Sequence, residues 1–286
     1  MYQGIEPSSK WLNPGDVCFD CYMGCDGKCC YSDDTEMTVL LMESMLECNG
    51  FNEDCFADKL RHEASIHDFR RGYGYTMSIV VSMLRKGIDW KKASKQIFNG
   101  QGSYGNGAAI RVAPIAIVAK DVSEVIELAR RQATITHSHP LGVEGAILIA
   151  LAQYLVLREK VEPETIVDRL LEVHKWSDEY KRRLKLVPEL IDKDPYKVAY
   201  TLGNDAAAHR STVTAVYIYV KARGDLEKTI TYAISIGGDT DSIASMATSL
   251  TGAYIGYRNI PQYLVDKVED IDKIKQLAIR LYNNLR

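Results

Sequence analysis

Ser32-Asp33-Asp34-Thr35-Glu36-Met37-Thr38-Val39-Leu40-Leu41-Met42-Glu43-Ser44-Met45-Leu46-Glu47 decides the fold class. Met37, Leu40, Leu41, Met45 and Leu46 recur at the spacing that lines one face of a helix, with Glu43 and Glu47 between them. Asp33, with Glu36 three residues later, reads as the N-cap. Periodic segments of the same kind follow at about Phe56–His67, Tyr75–Arg85, Trp90–Phe98, Val122–Thr134, Leu141–Leu157, Pro163–His174, Glu179–Leu190, Tyr196–Leu202, Val213–Ala222, Leu226–Ile234, Ser242–Ile255 and Asp266–Leu285. No sustained period-two pattern appears. Ile110–Val118 is β-branched but carries Pro114, and reads as the start of a buried helix rather than a strand. The intervening stretches, Phe98–Gly107, Thr136–Pro140, Gly203–Ser211 and Gly237–Asp241, are loops too short to be domain linkers. The expected fold is therefore one all-α domain over residues 1–286, a compact orthogonal multi-helix bundle. Ala244, Ala247, Ser249, Gly252, Ala253 and Gly256 would let neighbours approach closely, which marks Ser242–Gly256 as a candidate central helix.

Bulk properties exclude several classes of function. The chain has 286 residues, 46% of them apolar, enough for a substantial core. A formal charge of −3 offers no general attraction to nucleic acid or to an anionic membrane. The longest apolar run, Gly145–Leu157, is short for a bilayer span, and the N-terminus lacks signal-peptide character, so a cytoplasmic, monomeric protein is expected. Seven cysteines all lie before residue 56, with Cys18, Cys21, Cys25, Cys29 and Cys30 crowded together. A single CxxC without a second well-spaced pair leaves metal ligation, disulfides and free thiols all open. Disulfides are disfavoured in a reducing cytosol, hyperthermophile proteins excepted.

Two acidic knots carry the chemistry. Gly237-Gly238-Asp239-Thr240-Asp241-Ser242 puts two carboxylates and a hydroxyl before an apolar helix, and Ser32-Asp33-Asp34-Thr35 repeats the arrangement far upstream. Oxygen donors of this kind suit Mg²⁺, Mn²⁺ or Ca²⁺ rather than Zn²⁺. Phe98-Asn99-Gly100-Gln101-Gly102-Ser103-Tyr104-Gly105-Asn106-Gly107 can turn backbone N–H groups toward an anion, with Phe98 and Tyr104 available to stack on a base. It lacks the features of a Walker loop or a dinucleotide fingerprint, and a glycine-rich loop alone is often only a tight connection. In Thr136-His137-Ser138-His139-Pro140 the imidazoles read as capping or hydrogen-bonding groups, with zinc ligation the alternative. His62, His67, His174 and His209 carry no functional signal, and Lys181-Arg182-Arg183 reads as a solvated helix face.

Taken in order, these motifs resemble the ADP-ribosylglycohydrolase superfamily, in particular its ADP-ribosyl-acceptor hydrolase type 3 and J1 crystallin branch. The resemblance covers nearly all of Tyr31–Arg286. It implies a binuclear metal cleft holding two Mg²⁺, with Mn²⁺ as a substitute. The implied ligands are Ser32, Asp33, Asp34, Asp239, Asp241 and Ser242. It further implies that Phe98 stacks on adenine, that Gly102, Ser103 and Tyr104 hold diphosphate and ribose, and that His137 contacts the distal part of the ligand. The implied reaction is hydrolysis at the anomeric carbon of ADP-ribose. Possible substrates are serine- or arginine-linked ADP-ribose on protein, poly(ADP-ribose) and O-acetyl-ADP-ribose. An ADP-ribose-binding protein without turnover and a structural, crystallin-like role are the alternatives, and the intact carboxylates speak against the last.

Two departures from the family pattern stand out. Ser32 and Ser242 occupy positions where that branch usually has Thr. Serine keeps the ligand oxygen but loses the methyl that restricts its rotamer. The family's first helix, ending in Gly-Asp-x-x-Gly, is not in this chain, and Met1-Tyr2-Gln3-Gly4 resembles the end of that region, which places Gln3 at the catalytic glutamate position. Glutamine cannot act as an acid or base, so Glu6, three residues on, is the candidate catalytic group.

Overall fold

The computed structural model describes residues 5–17, 23–25 and 27–285. Gln3, Cys18 and Cys21 lie outside the described residues. The helices are α1 (Asp33–Glu47), α2 (Glu53–Glu63), α3 (Tyr75–Arg85), α4 (Trp90–Gln96), α5 (Ala113–Val118) and α6 (Val122–Thr134). They continue with α7 (Pro140–Tyr154), α8 (Ile166–Val173), α9 (Asp178–Leu186), α10 (Pro195–Leu202), α11 (Ala208–Ala222), α12 (Leu226–Ile236), α13 (Thr240–Ile255), α14 (Gln262–Val265) and α15 (Ile271–Leu285). The all-α expectation holds, apart from a small antiparallel hairpin, β1 (Met23–Cys25) and β2 (Lys28–Cys29), in the Cys-rich segment.

Several helices begin where a short polar side chain satisfies the free N–H groups of a first turn. Asn52, Asp89, Asp121, Asp194 and Asp225 each accept from a backbone N–H two or three residues on. The expected cap of α1 is displaced by one residue: Ser32 holds the extended cap conformation (ψ −176), and Asp33 is already helical. Other boundaries shift, Phe56–His67 to Glu53–Glu63 and Pro163–His174 to Ile166–Val173 among them. The α11 helix starts at Ala208 rather than Val213, Trp90–Phe98 ends as a helix at Gln96, and the last helix starts at Ile271 rather than Asp266, with the short α14 before the expected segment.

At the centre stands α7, buried along its whole length from Gly145 onward, packed on α5, α6 and α11. With the π-turn Leu155–Glu159 it forms a helical stretch, Pro140–Glu159, that is by length and composition long enough to cross a bilayer, longer than the apolar run read from the sequence. Some 72% of its apolar window is buried inside the protein, which makes it a core helix. Close approach is required here, since a Cβ at Gly145 would lie 2.7 Å from Tyr180 Oη and 2.8 Å from Ala208 Cβ. The small-residue helix α13 packs against α11 and α12 but is buried along one face only, and nothing would crowd a Cβ at Gly252. The central position expected for α13 thus belongs to α7.

Before α1, residues 5–17 run along the bundle. Ser8 N–H donates to Ser235 O at 2.8 Å, and Leu12 N–H to Ser235 Oγ at 3.0 Å. The Trp11 ring lies 5.1 Å from Tyr232 and donates from Nε1 to Lys193 O. Cys25 is bonded to Cys30 and Cys48 to Cys55, so these four cysteines form disulfides rather than free thiols or metal ligands.

Candidate metal centre and nucleotide cleft

Helix α1 opens with Asp33 and Asp34 on its first turn, and α13 with Asp239 as N-cap and Asp241 on its first turn. Helix N-termini favour negative charge, which suits both knots to carboxylates. The second knot also needs its glycines: Gly237 and Gly238 sit at φ +69° and +70°. A Cβ at Gly238 would lie 2.0 Å from Asn204 O, and one at Gly237 2.2 Å from Ile5 O. The two helices pack together, and Asp33, Asp239, Asp241 and Ser242 line one cavity of about 1200 Å³.

Asp34 sits behind that lining, buried. Its Oδ2 accepts from Ser32 Oγ at 2.6 Å, and its Oδ1 is buried without a partner. Asp239 Oδ2 accepts from Asn106 Nδ2 at 2.7 Å, and the Asp241 charge lies nearby. Burial and then the charges of Asp34, Asp241 and Asp239 push Asp33 up to about 8. Burial raises Asp34 to about 6 against the hydrogen bond from Ser32, and Asp239 to about 7 against that from Asn106. Among the described residues no Lys or Arg forms an ion pair with any of the four carboxylates.

These donors fit a hard divalent cation: they are all oxygens, they crowd negative charge without a counter-ion, and one buried lone-pair oxygen is unsatisfied. No three carboxylates of the cluster offer ligand atoms within 4.8 Å of one another. The one such group of Asp, Glu, His and Cys among the described residues is Cys25, Cys30 and Glu269, in which the two sulfurs are joined.

Glu6 lines the same cavity. Its neighbour Ile5 is pinned to the second knot, with Gly238 N–H donating to Ile5 O at 2.6 Å. His137, almost wholly buried, also lines the cavity. Burial, then the nearby Arg111 charge, pulls its imidazole down to about 3, so it is neutral. His139 caps α7, its Nδ1 accepting from Leu141 N–H, as the capping expectation holds; no imidazole of this corner belongs to a ligand cluster.

The glycine-rich loop divides. Gly105, Asn106 and Gly107 line the cavity, whereas Phe98, Gly102, Ser103 and Tyr104 do not. The Phe98 and Tyr104 rings are half-exposed and stacked with centroids 6.0 Å apart, a planar surface beside the cavity. Gly102, at φ +78°, lies where a Cβ would meet Ser138 Oγ at 2.2 Å. Ser103 is buried, its Oγ accepting from Gly105 N–H at 3.2 Å. Sequence reasoning gave no role to Asn106, which bridges Asp239 and Ser211 Oγ, or to Asn204, whose carbonyl accepts from Asp239 N–H at 2.7 Å. Both are isolated Asn residues in loops, visible as turn formers but not as partners of a carboxylate 133 or 35 positions away. Tyr75, Tyr196 and Tyr200, also unforeseen, are largely exposed and line the cavity mouth.

The ADP-ribosylglycohydrolase family profile matches residues 3–286 of this chain. The chain is 36% identical to "ADP-ribosylhydrolase ARH3" of Danio rerio over 296 residues, covering 90% of this chain and 78% of that protein. It is 34% identical to the Bos taurus protein of the same name over 288 residues, covering 88% and 78%. An uncharacterized protein of Archaeoglobus fulgidus is 29% identical over 253 residues, covering 88% and 80%. Among solved structures, an "ADP-ribosylglycohydrolase-related protein complex" superposes with a TM-score of 0.69 over 89% of this chain and 82% of that one. At 22% identity that likeness speaks for the fold.

Proposed function

The chain belongs to the ADP-ribosylglycohydrolase family, as a hydrolase of glycosidic bonds of ADP-ribose, and on that premise we propose a Mg²⁺-dependent enzyme whose two acidic knots hold the metal. One observation carries the proposal: carboxylates more than two hundred positions apart in the chain converge, unpaired, on one cavity. Ser32, Asp33 and Asp34 would hold metal from one side and Asp239, Asp241 and Ser242 from the other. The two sets would hold two ions, with Mn²⁺ able to replace Mg²⁺. Bound Mg²⁺ supplies positive charge that orients ribose hydroxyls and polarises a water.

The remaining chemistry falls to the chain's own residues. Phe98 and Tyr104 would offer stacking surface to the adenine, and Gly102 and Ser103 of the same loop would hold diphosphate and ribose. In the hydrolysis a water oxygen bonds to the anomeric carbon, the bond to the acceptor breaks, and the acceptor leaves with a proton. Glu6, which lines the cavity next to the Ile5–Gly238 contact, would take the water's proton and supply the leaving group's. The cavity is open to an ADP-ribosylated protein or to the polymer, and Tyr75, Tyr196 and Tyr200 at its mouth offer rings to the portion beyond the first ADP-ribose.

Incubation with an ADP-ribosylated peptide and Mg²⁺, alongside calorimetric titration of ADP-ribose, tests the proposal. Release of ADP-ribose that stops in chelator is expected, with Asp239→Asn inactive and Glu6→Gln slowed by about 10²-fold or more. Binding of ADP-ribose without any release would leave a binding protein, and a fully active Asp239→Asn variant would refute the metal assignment.

A further inference from the structure

His137 reaches the cavity from the corner between α6 and α7, and the groups behind it are fixed. Its Nδ1 lies 2.7 Å from Thr136 Oγ1, which in turn lies 2.8 Å from Arg111 Nη2. Arg111 is fully buried. Its Nε donates to Gln132 Oε1 at 2.7 Å, Nη2 also to Gln132 O at 2.9 Å, and Nη1 to Gly107 O at 3.2 Å. The Gln132 amide is oriented in turn, since its Nε2 donates to Ala108 O at 3.0 Å.

A guanidinium carries only donors, so the Thr136 oxygen accepts from Arg111 and its single proton must be given away. Thr136 is 1% exposed, and among the described residues the one acceptor in reach is His137 Nδ1. A proton on Nδ1 would face that hydroxyl and leave a buried donor unsatisfied. Nδ1 is thus the acceptor, and the ring proton sits on Nε2. No acceptor meets Nε2 among the described residues. Gly107 lies along this edge of the ring, where a Cβ would come within 2.8 Å of Cε1 and 3.0 Å of Nε2.

We propose that Arg111 and Thr136 are positioning residues that lock His137 as the neutral Nε2–H tautomer, and so give the cavity a fixed hydrogen-bond donor for an acceptor oxygen of its ligand. His137 then neither ligates metal nor shuttles protons. The lock itself stands on the buried network, and only the identity of the oxygen, a hydroxyl or phosphate oxygen of ADP-ribose, rests on the function proposed above.

The test uses ¹⁵N-histidine-labelled protein without ligand, with two-bond ¹H–¹⁵N spectra at neutral pH. Wild type should show His137 protonated at Nε2 and bare at Nδ1. Thr136→Val should shift the ring toward the other tautomer and weaken ADP-ribose binding in calorimetry by about three- to tenfold, while Thr136→Ser keeps both properties. A wild-type ring protonated on Nδ1 or on both nitrogens overturns the proposal, as does a folded Thr136→Val protein with an unchanged ring and unchanged affinity. Wild type that shows the Nε2–H ring yet ignores ADP-ribose would uphold the lock and count against the ADP-ribose reading.

Discussion

Asp33, Asp34 and Asp239 all hold protons more tightly than an ordinary carboxyl, each chiefly because it is buried. The consequence for pH has a definite sign. A carboxyl whose pKa is raised on folding binds more protons in the native state, so without metal its stabilising contribution is complete below about pH 4 and is lost as pH rises toward the values near 8. Divalent metal binds the ionised form and stabilises most where the bare protein is weakest. In chelator, the contribution of this cluster should lower the melting midpoint from pH 5 to pH 9, and the shift produced by Mg²⁺ should grow over the same range. A Mg²⁺ shift that shrinks as pH rises would contradict the placement of the ions on these groups. Ser32 bonding Asp34 illustrates what residue types alone could foretell. Hydroxyl beside carboxylate was legible in both knots, but the backing role of Asp34 and the bridging role of Asn106 depend on contacts between distant loops, which no local pattern records.

The elements that matter are two helix starts and the turns feeding them. At Gly238 a left-handed φ coincides with a close backbone approach to Asn204, so Gly238→Ala should cost about 1–3 kcal/mol of stability. Because Asp239 follows directly, turnover should fall with it; urea unfolding and an activity assay on the same sample check both. Element type was readable because apolar spacing in α1, α6 and α12 is strongly helical. Boundaries were less so. The first turn of α11, Ala208-His209-Arg210-Ser211, continues a run of small and polar residues that resembles a loop, and it is helical because Ala208 N–H bonds Tyr104 O and Ala208 and Ser211 are buried. In α13, small residues suggested tight packing all round, yet packing uses only the side bearing Ile243, Met246, Ala247 and Leu250.

Across the whole molecule, the chain must bring residues 32–34 and 239–242 together, and it does so by packing α1 against α13 at one end of the bundle while residues 5–8 run beside the second knot. Disulfides staple the flanks of α1, Cys25–Cys30 before it and Cys48–Cys55 after it. Since Cys48–Cys55 closes a short loop at the end of α1 remote from Asp33, the Cys48→Ser/Cys55→Ser variant should lose about 2–3 kcal/mol in denaturant unfolding and keep its turnover. The cysteine cluster was visible in the sequence, but its pairing was not, because connectivity follows from how β1, β2 and α2 fold back. Central to the account is one metal centre built by both knots. Calorimetric titration with Mn²⁺ of the wild type, Asp34→Asn and Asp241→Asn proteins tests this most directly: two ions are predicted for wild type, with binding impaired by either substitution alone. A single ion in wild type, or undiminished binding when one knot is altered, would contradict it.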